Sequence, residues 1–195
     1  IAASKTLDLK DLIDACKPFG DSSLLLALDG LTDPQNLGGI IRSAEALGAQ
    51  GLILPQRRSA GLTGSVAKVA AGALEHLPVA RVVNLNRSLE KLKDQGYTII
   101  GLAEEGPSTL SEIKFHGPLV VVVGSEDKGI SLITRRLCDQ LVRIPLKGVT
   151  TSLNASVATS IFLYEVARSR WMRSISGHDP SPRLMKPQIS TEVNK

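Results

Sequence analysis

The chain has 195 residues, 43% of them hydrophobic and 22% charged, which excludes a mostly disordered chain and is long enough to bury a core without staples. Its formal net charge of +4 is unevenly placed: residues 1–167 hold 17 basic and 17 acidic side chains, and the excess lies in 168–195. The longest apolar runs, 24–28 and 119–123, are far short of the roughly 20 residues of a membrane-spanning helix.

In chain order, Leu7, Leu9, Leu12 and Ile13 fall on a helical period and predict a short helix over 7–17. Residues 24–28 are a continuous apolar run, the pattern of a strand covered on both faces. The alternation continues with a helix at 37–47, a strand at 52–54 and an alanine-rich helix at 63–74. A strand at 79–83, a helix at 87–95 and a strand at 97–103 follow. The strongest strand pattern, 119–123, precedes a helix at 130–138, a strand at 141–144 and a long helix over 153–171. Strands alternating with helices across short loops predict an α/β domain with a mainly parallel sheet flanked by helices. Beyond it, Gly177, Pro180, Pro182 and Pro187 among polar residues predict a disordered basic tail over 174–195. Arg168, Arg170, Arg173, Arg183, Lys186 and Lys195 there face only Asp179 and Glu192, which suits either a solvated terminus or a phosphate contact.

Open parallel sheets bind ligands beyond the carboxyl ends of their strands. Three such ends, 29–39, 124–129 and 144–154, combine glycine with small polar residues. None is a dinucleotide or P-loop fingerprint, since no GxGxxG follows a strand and no GxxxxGK[ST] occurs. In the first, Leu37, Ile40, Ile41, Ala44 and Leu47 share a helical face and Arg42 points nearly opposite, the position of an ordinary surface arginine or of a functional one. In the second, Ser125 or Asp127 suits a helix cap. In the third, Ser152 or Asn154 suits the same role before a small-residue helix. Cys16 and Cys138 lack CxxC spacing, which fits a reducing compartment. His76, His116 and His178 have no partner pattern, and no metal-ligand spacing occurs.

Together the three segments resemble the motifs of the SpoU (TrmH) family of the SPOUT superfamily. The matching strings are Asn36-Leu37-Gly38 with Arg42, Gly124-Ser125-Glu126 with Gly129, and Ile144-Pro145-Leu146 with Ser152-Leu153-Asn154-Ala155-Ser156-Val157-Ala158. They stand in family order over about 23–170, and 29–36 with 152–158 look closest to the RlmB-like branch, which modifies a guanosine of large-subunit rRNA. One departure is Asp127-Lys128, which adds charge where the family often has a small residue.

The resemblance implies an S-adenosyl-L-methionine (AdoMet)-dependent RNA ribose 2′-O-methyltransferase, with a C-terminal deep trefoil knot, a homodimer and no metal. It implies catalytic roles for Arg42, Asn36, Glu126, Ser152 and Asn154, with Glu126 pairing with Arg42 and Asn36 orienting Arg42 or the ribose. It places AdoMet against Leu102, Ala103, Gly124, Glu126, Gly129, Ile144, Leu146, Ser152 and Leu153. Apolar walls with a few placed backbone groups suit such a ligand. A dimer would use Leu153, Val157, Ile161 and Tyr164 of the last helix, which suit intramolecular core equally well. The expected division is an N-terminal helix and linker over 1–22, a catalytic domain over 23–173 and the tail. A chain that opens on Ile1 and lacks the family's N-terminal RNA-binding domain is expected to be a catalytic piece of a longer protein. A cytoplasmic location, or an organelle of bacterial descent, is expected, with rRNA as partner and no membrane. The rivals are a tRNA 2′-O-methyltransferase of the same family and a non-catalytic nucleotide-binding module.

Overall fold

A computed structural model describes residues 6–180, in which the alternation becomes eight strands and six helices. The strands are β1 (Thr6–Leu7), β2 (Leu24–Asp29), β3 (Gly51–Pro55), β4 (Val79–Val82), β5 (Thr98–Leu102), β6 (Ser108–Thr109), β7 (Leu119–Gly124) and β8 (Gln140–Arg143). The helices are α1 (Leu9–Cys16), α2 (Pro34–Ala46), α3 (Gly64–Ala70), α4 (Leu85–Asp94), α5 (Leu132–Leu137) and α6 (Ala155–Arg170). They form one sheet in the order β1-β4-β3-β2-β7-β5-β8-β6, with every strand pairing parallel.

The apolar runs dominate this sheet because they are covered twice. Leu24, Leu26 and Leu28 of β2 pack in a layer with α2, α3 and α6, while Leu25 and Ala27 pack with α1 and α4. Phe162 of α6 is fully buried in the first layer, where it meets Phe115 edge-on at 5.6 Å. The adjacent glycines of α2 let two helices close in. A Cβ on Gly38 would lie 2.5 Å from Val69 of α3, and one on Gly39 would lie 3.1 Å from Ser156 of α6. Ser43 and Ser160 hydroxyls then meet at 2.7 Å across the α2–α6 contact. The site-bearing start of α2 is thereby fixed against the start of α6.

Several boundaries differ from the sequence pattern. Thr6 and Leu7 pair with β4 as a short edge strand, and α1 starts only at Leu9, because the Asp8 side chain caps it by accepting from Asp11 N–H at 2.8 Å. Leu12 of α1 packs over Gly51, and Leu9, Leu12 and Cys16 share one core with the central strands, whereas Lys17–Ser22 bury no side chain. α2 begins three residues early, at Pro34, with Asp33 as its cap. The alanine-rich helix stops at Ala70, since Ala71 and Gly72 turn left-handed at φ of 52° and 86°. Of the expected tail, 181–195 lies outside the described residues, and with it Arg183, Lys186, Glu192 and Lys195.

Candidate functional site

A cleft of about 900 Å³ opens at the carboxyl ends of β5, β7 and β8 and is closed on one side by the start of α6. Leu102, Val123, Ile130 and Ile144 give it apolar walls. Its charged side chains are Glu104, Glu105, Glu126 and Asp127 against Lys128 and Arg143, an excess of acid. The loop after β7 is a tight reversal in which Ser125 and Gly129 exchange two backbone hydrogen bonds of 3.0 Å. Lys128 N–H donates to Ser125 Oγ at 3.2 Å inside the turn. The reversal folds directly onto Gly124: a Cβ there would lie 2.0 Å from the carbonyl carbon of Gly129 and 2.1 Å from the nitrogen of Ile130. Only glycine leaves this wall of the cleft intact.

Glu126 reaches from that turn to the loop before α2. Its carboxylate accepts from Asp33 N–H at 3.0 Å, from Thr32 N–H at 3.5 Å and from Asn36 Nδ2 at 3.4 Å. Partial burial raises the carboxyl's pKa, but hydrogen bonds from its own N–H, Asp33, Asn36 and Thr32 outweigh it and hold the group below its ordinary value. The first and second loops are thus tied by an ionised carboxylate at the start of a helix, where negative charge is favourable. Asp29, at the end of β2, makes a second tie by accepting from Ser131 N–H at 2.8 Å.

The third loop, 144–154, is exposed except at Ile144. Asn154 ends it as the cap of α6, accepting from Ser156 N–H at 2.9 Å and Val157 N–H at 3.3 Å. Arg143, at the end of β8, donates to the carbonyls of Gly106 at 2.5 Å and Pro107 at 3.3 Å, and so braces the loop after β5. Arg135 of α5 pairs with Glu105 of the same loop.

Leu102, Ala103, Gly124, Glu126, Gly129, Ile144, Leu146, Ser152 and Leu153 all line this cleft, together with Asn36 and Asn154. Arg42 does not. Six residues after Asn36 on α2, it is rotated by roughly 120° about the helix. It lines a separate groove of about 280 Å³ with Glu45, Glu75 and His76, beside the left-handed end of α3. Within this chain the expected Glu126–Arg42 pair is not formed: Glu126 is bonded to Asn36 and to backbone, and Asn36 faces Glu126. Arg143, Glu104 and Glu105 lack any local pattern that marks their side chains in the sequence as part of the cleft.

Two described members of the basic C-terminal excess are used internally. Arg168 pairs with Glu165, and Arg170 donates to the carbonyls of Ser22 at 3.3 Å and Gly117 at 2.6 Å. Both cysteines are free, and burial pushes each thiol up to about 11, so neither is a thiolate at neutral pH. Among the described residues no group of three or more His, Cys, Asp and Glu side chains is arranged to hold a metal ion, and no helix is long and apolar enough to cross a membrane.

Residues 23–164 match the model of the SpoU rRNA Methylase family. An uncharacterised tRNA/rRNA methyltransferase of Synechocystis sp. is 55% identical over 163 residues, covering 84% of this chain and 42% of the relative. The chain spans 42% of the length of this relative and 51% of a mycobacterial one. Among solved structures, the SpoU methyltransferase AviRb of Streptomyces viridochromogenes, in complex with the cofactor AdoMet, is 33% identical with a TM-score of 0.71. That match covers 77% of this chain and 61% of the other. An AdoMet-bound rRNA methyltransferase of Sinorhizobium meliloti is 29% identical with a TM-score of 0.77, covering 85% and 62%.

Proposed function

From the premise that the chain belongs to the SpoU rRNA methylase family, we propose that it uses AdoMet to methylate a ribose 2′-hydroxyl of RNA, a guanosine of large-subunit rRNA. The observation that carries this reading is the gathering of all three motif segments around one cleft at the strand ends.

The cleft's chemistry fits AdoMet better than ATP or NAD. Apolar walls suit an adenosine, and an excess of carboxylates suits a cationic sulfonium and disfavours a polyphosphate. Gly124, crowded by the Gly129–Ile130 peptide, keeps backbone rather than side chain at the wall. Bound there, AdoMet supplies an activated methyl group. What the chain must add is position and stabilisation of the hydroxyl oxygen as it loses its proton. Arg42, permanently protonated and planar, is suited to clamping a phosphate and stabilising the developing alkoxide. Glu126 and Asn36 act by holding the first loop in place, and Asn154 by setting the entry of α6. Ser152 is an exposed hydroxyl facing the cleft and would contact the substrate.

Because Arg42 lies outside its own protomer's cleft, the reading includes a homodimer that brings the partner subunit's arginine to it. The outer side of α6 supports this: Val157, Ile161 and Tyr164 are 47%, 39% and 50% exposed and follow one another at helical spacing. The reading also includes the C-terminal trefoil knot that the family resemblance implies, within a sheet in which β7 lies between β2 and β5, and β8 between β5 and β6. A reducing compartment, the cytoplasm or an organelle of bacterial descent, completes the proposal.

Transfer of labelled methyl from AdoMet to purified rRNA and tRNA tests it. A 2′-O-methyl group blocks alkaline cleavage at its own nucleotide, so the expected product is an alkali-resistant dinucleotide from rRNA. Label released by alkali in mononucleotides, as a methylated base gives, or absence of AdoMet binding by calorimetry where ATP binds, would overturn the assignment. Label confined to tRNA would move the target to that RNA.

A further inference from the structure

β3 hands the chain to Gln56, Arg57 and Arg58, all exposed, at the same carboxyl edge of the sheet as the cleft. This loop is fastened at both ends. Gln56 N–H donates to Val82 O at 2.8 Å, and Ala60 N–H donates to Leu31 O at 2.9 Å. Leu31 adjoins Thr32 and Asp33, the two backbone donors held by Glu126 at the cleft. The loop is therefore tied to the segment that Glu126 holds beside the proposed site. From the neighbouring strand, Arg81 donates through Nη2 to Gln56 O at 3.2 Å, so three guanidinium-bearing residues converge on one short stretch of edge.

Their electrostatic setting is unusual for this molecule. The ion pairs among the described residues are Lys17–Asp14, Lys93–Asp139, Arg135–Glu105 and Arg168–Glu165, and none uses Arg57, Arg58 or Arg81. Arg58 also holds a left-handed φ of 54°, which is costly for a side-chain-bearing residue. Next to Arg81 on the same edge, Val83 is 86% exposed. Guanidinium forks without carboxylate partners match phosphate oxygens in geometry and charge. Phosphate contacts of this kind fix the register of a nucleic acid without reading its sequence.

Resting on the proposed RNA methyl transfer, we infer that Arg57, Arg58 and Arg81 form a phosphate-binding rim that lays the RNA backbone across the carboxyl edge and leads it to the cleft. The rim positions RNA and takes no part in holding AdoMet. It lies within the catalytic domain and does not depend on the basic C-terminal residues.

The test compares the full chain with its R57Q/R58Q/R81Q variant, and with K10Q/K91Q/K114Q, which removes the same charge at exposed lysines elsewhere. Binding of a fluorescein-labelled mixed-sequence RNA hairpin is followed by anisotropy across a salt series. Each lost phosphate contact lowers the log–log salt slope by about 0.7–0.9, so the arginine variant should lose about 2 or more. Its affinity at low salt should fall at least about tenfold, with the lysine control near wild type. AdoMet affinity by calorimetry should be the same in all three proteins. An unchanged slope in the arginine variant, or an equal loss in the lysine control, overturns the rim. Should the loss of half-buried Arg81 disturb folding, R57Q/R58Q alone must still lower the slope by about 1.5. Failure of wild type to bind AdoMet would count against the proposed activity and leave the RNA result readable.

Discussion

Gly124→Ala is the smallest change that should damage the cleft. The new methyl would lie 2.0 Å from the Gly129 carbonyl carbon, 2.1 Å from Ile130 N and 2.3 Å from Gly129 O. All three are backbone atoms, so no side chain can swing away. Reaching ordinary contact at 3.4 Å requires a displacement of about 1.4 Å in the Gly129–Ile130 peptide. That peptide accepts the 3.0 Å bond from Ser125 N–H, and its neighbour Ser131 is tied to Asp29 at 2.8 Å. Two strained or lost hydrogen bonds at about 1 kcal/mol each, with local overpacking, give about 2–4 kcal/mol of destabilisation. For a chain of this size, that lowers the melting temperature by about 5–15 °C. Gly129→Ala provides the contrast, because a Cβ there meets nothing within 4 Å and only the left-handed φ of 65° is penalised. Its cost should stay near 1–2 kcal/mol. Calorimetric melting of both variants, with AdoMet titration of the folded proteins, checks the reasoning. Affinity should fall at least about tenfold in the Gly124 variant, the equivalent of roughly 1.4 kcal/mol. A Gly124→Ala protein as stable as wild type, with wild-type affinity, would refute the role of this contact.

Glu126→Ala should cost about 1 kcal/mol at neutral pH, a modest figure because the carboxylate is largely solvent-screened. Since its folded-state pKa is depressed, this contribution is present above the ordinary carboxylate range and disappears as pH falls through the folded value; urea midpoints that differ equally at neutral and strongly acidic pH would contradict it. Arg42→Ala should leave stability within about 0.5 kcal/mol and AdoMet affinity unchanged, since the exposed side chain lies outside the cleft. The same change should slow single-turnover methyl transfer about 100-fold, with poor rescue by Arg42→Lys; wild-type turnover would reduce Arg42 to a surface residue. Ile161→Asp should convert a dimer into a monomer by light scattering at micromolar concentration while the fold persists, because the side chain is already 39% exposed; a monomeric wild type would remove the dimer from the reading.

The central sheet was legible in sequence because strands such as β2 and β7, covered by helices on both faces, are written as unbroken apolar runs. The body of the amphipathic α4 was equally legible, since Leu89 and Leu92 mark one face, but its start at Leu85 lay two residues outside the expected 87–95. β1 and β6 were not, because two-residue edge strands carry no periodicity and exist only where a neighbour pairs with them. The end of α3 was missed for a different reason: the alanines around it favour helix locally, and the left-handed stop at Ala71–Gly72 lies inside that alanine-rich run.

For the site, the sequence was enough to mark the three glycine-containing loops at strand ends, because a parallel sheet places such ends on one edge whatever the details. It also supplied the residue types: a carboxylate, two asparagines, a serine and an arginine. Which of them face one another was decided by tertiary structure. Glu126 meets Thr32, Asp33 and Asn36 across 90 to 94 residues of chain, and Arg42 is carried to another groove by the turn of α2. The convergence of Arg57, Arg58 and Arg81 likewise depends on strand order and on loops tied to distant backbone, whereas the crowding at Gly124 comes from the tight reversal of the five residues that follow it. Local pattern records what a residue prefers along its own element, whereas its partners depend on how elements pack, which no short stretch of sequence contains.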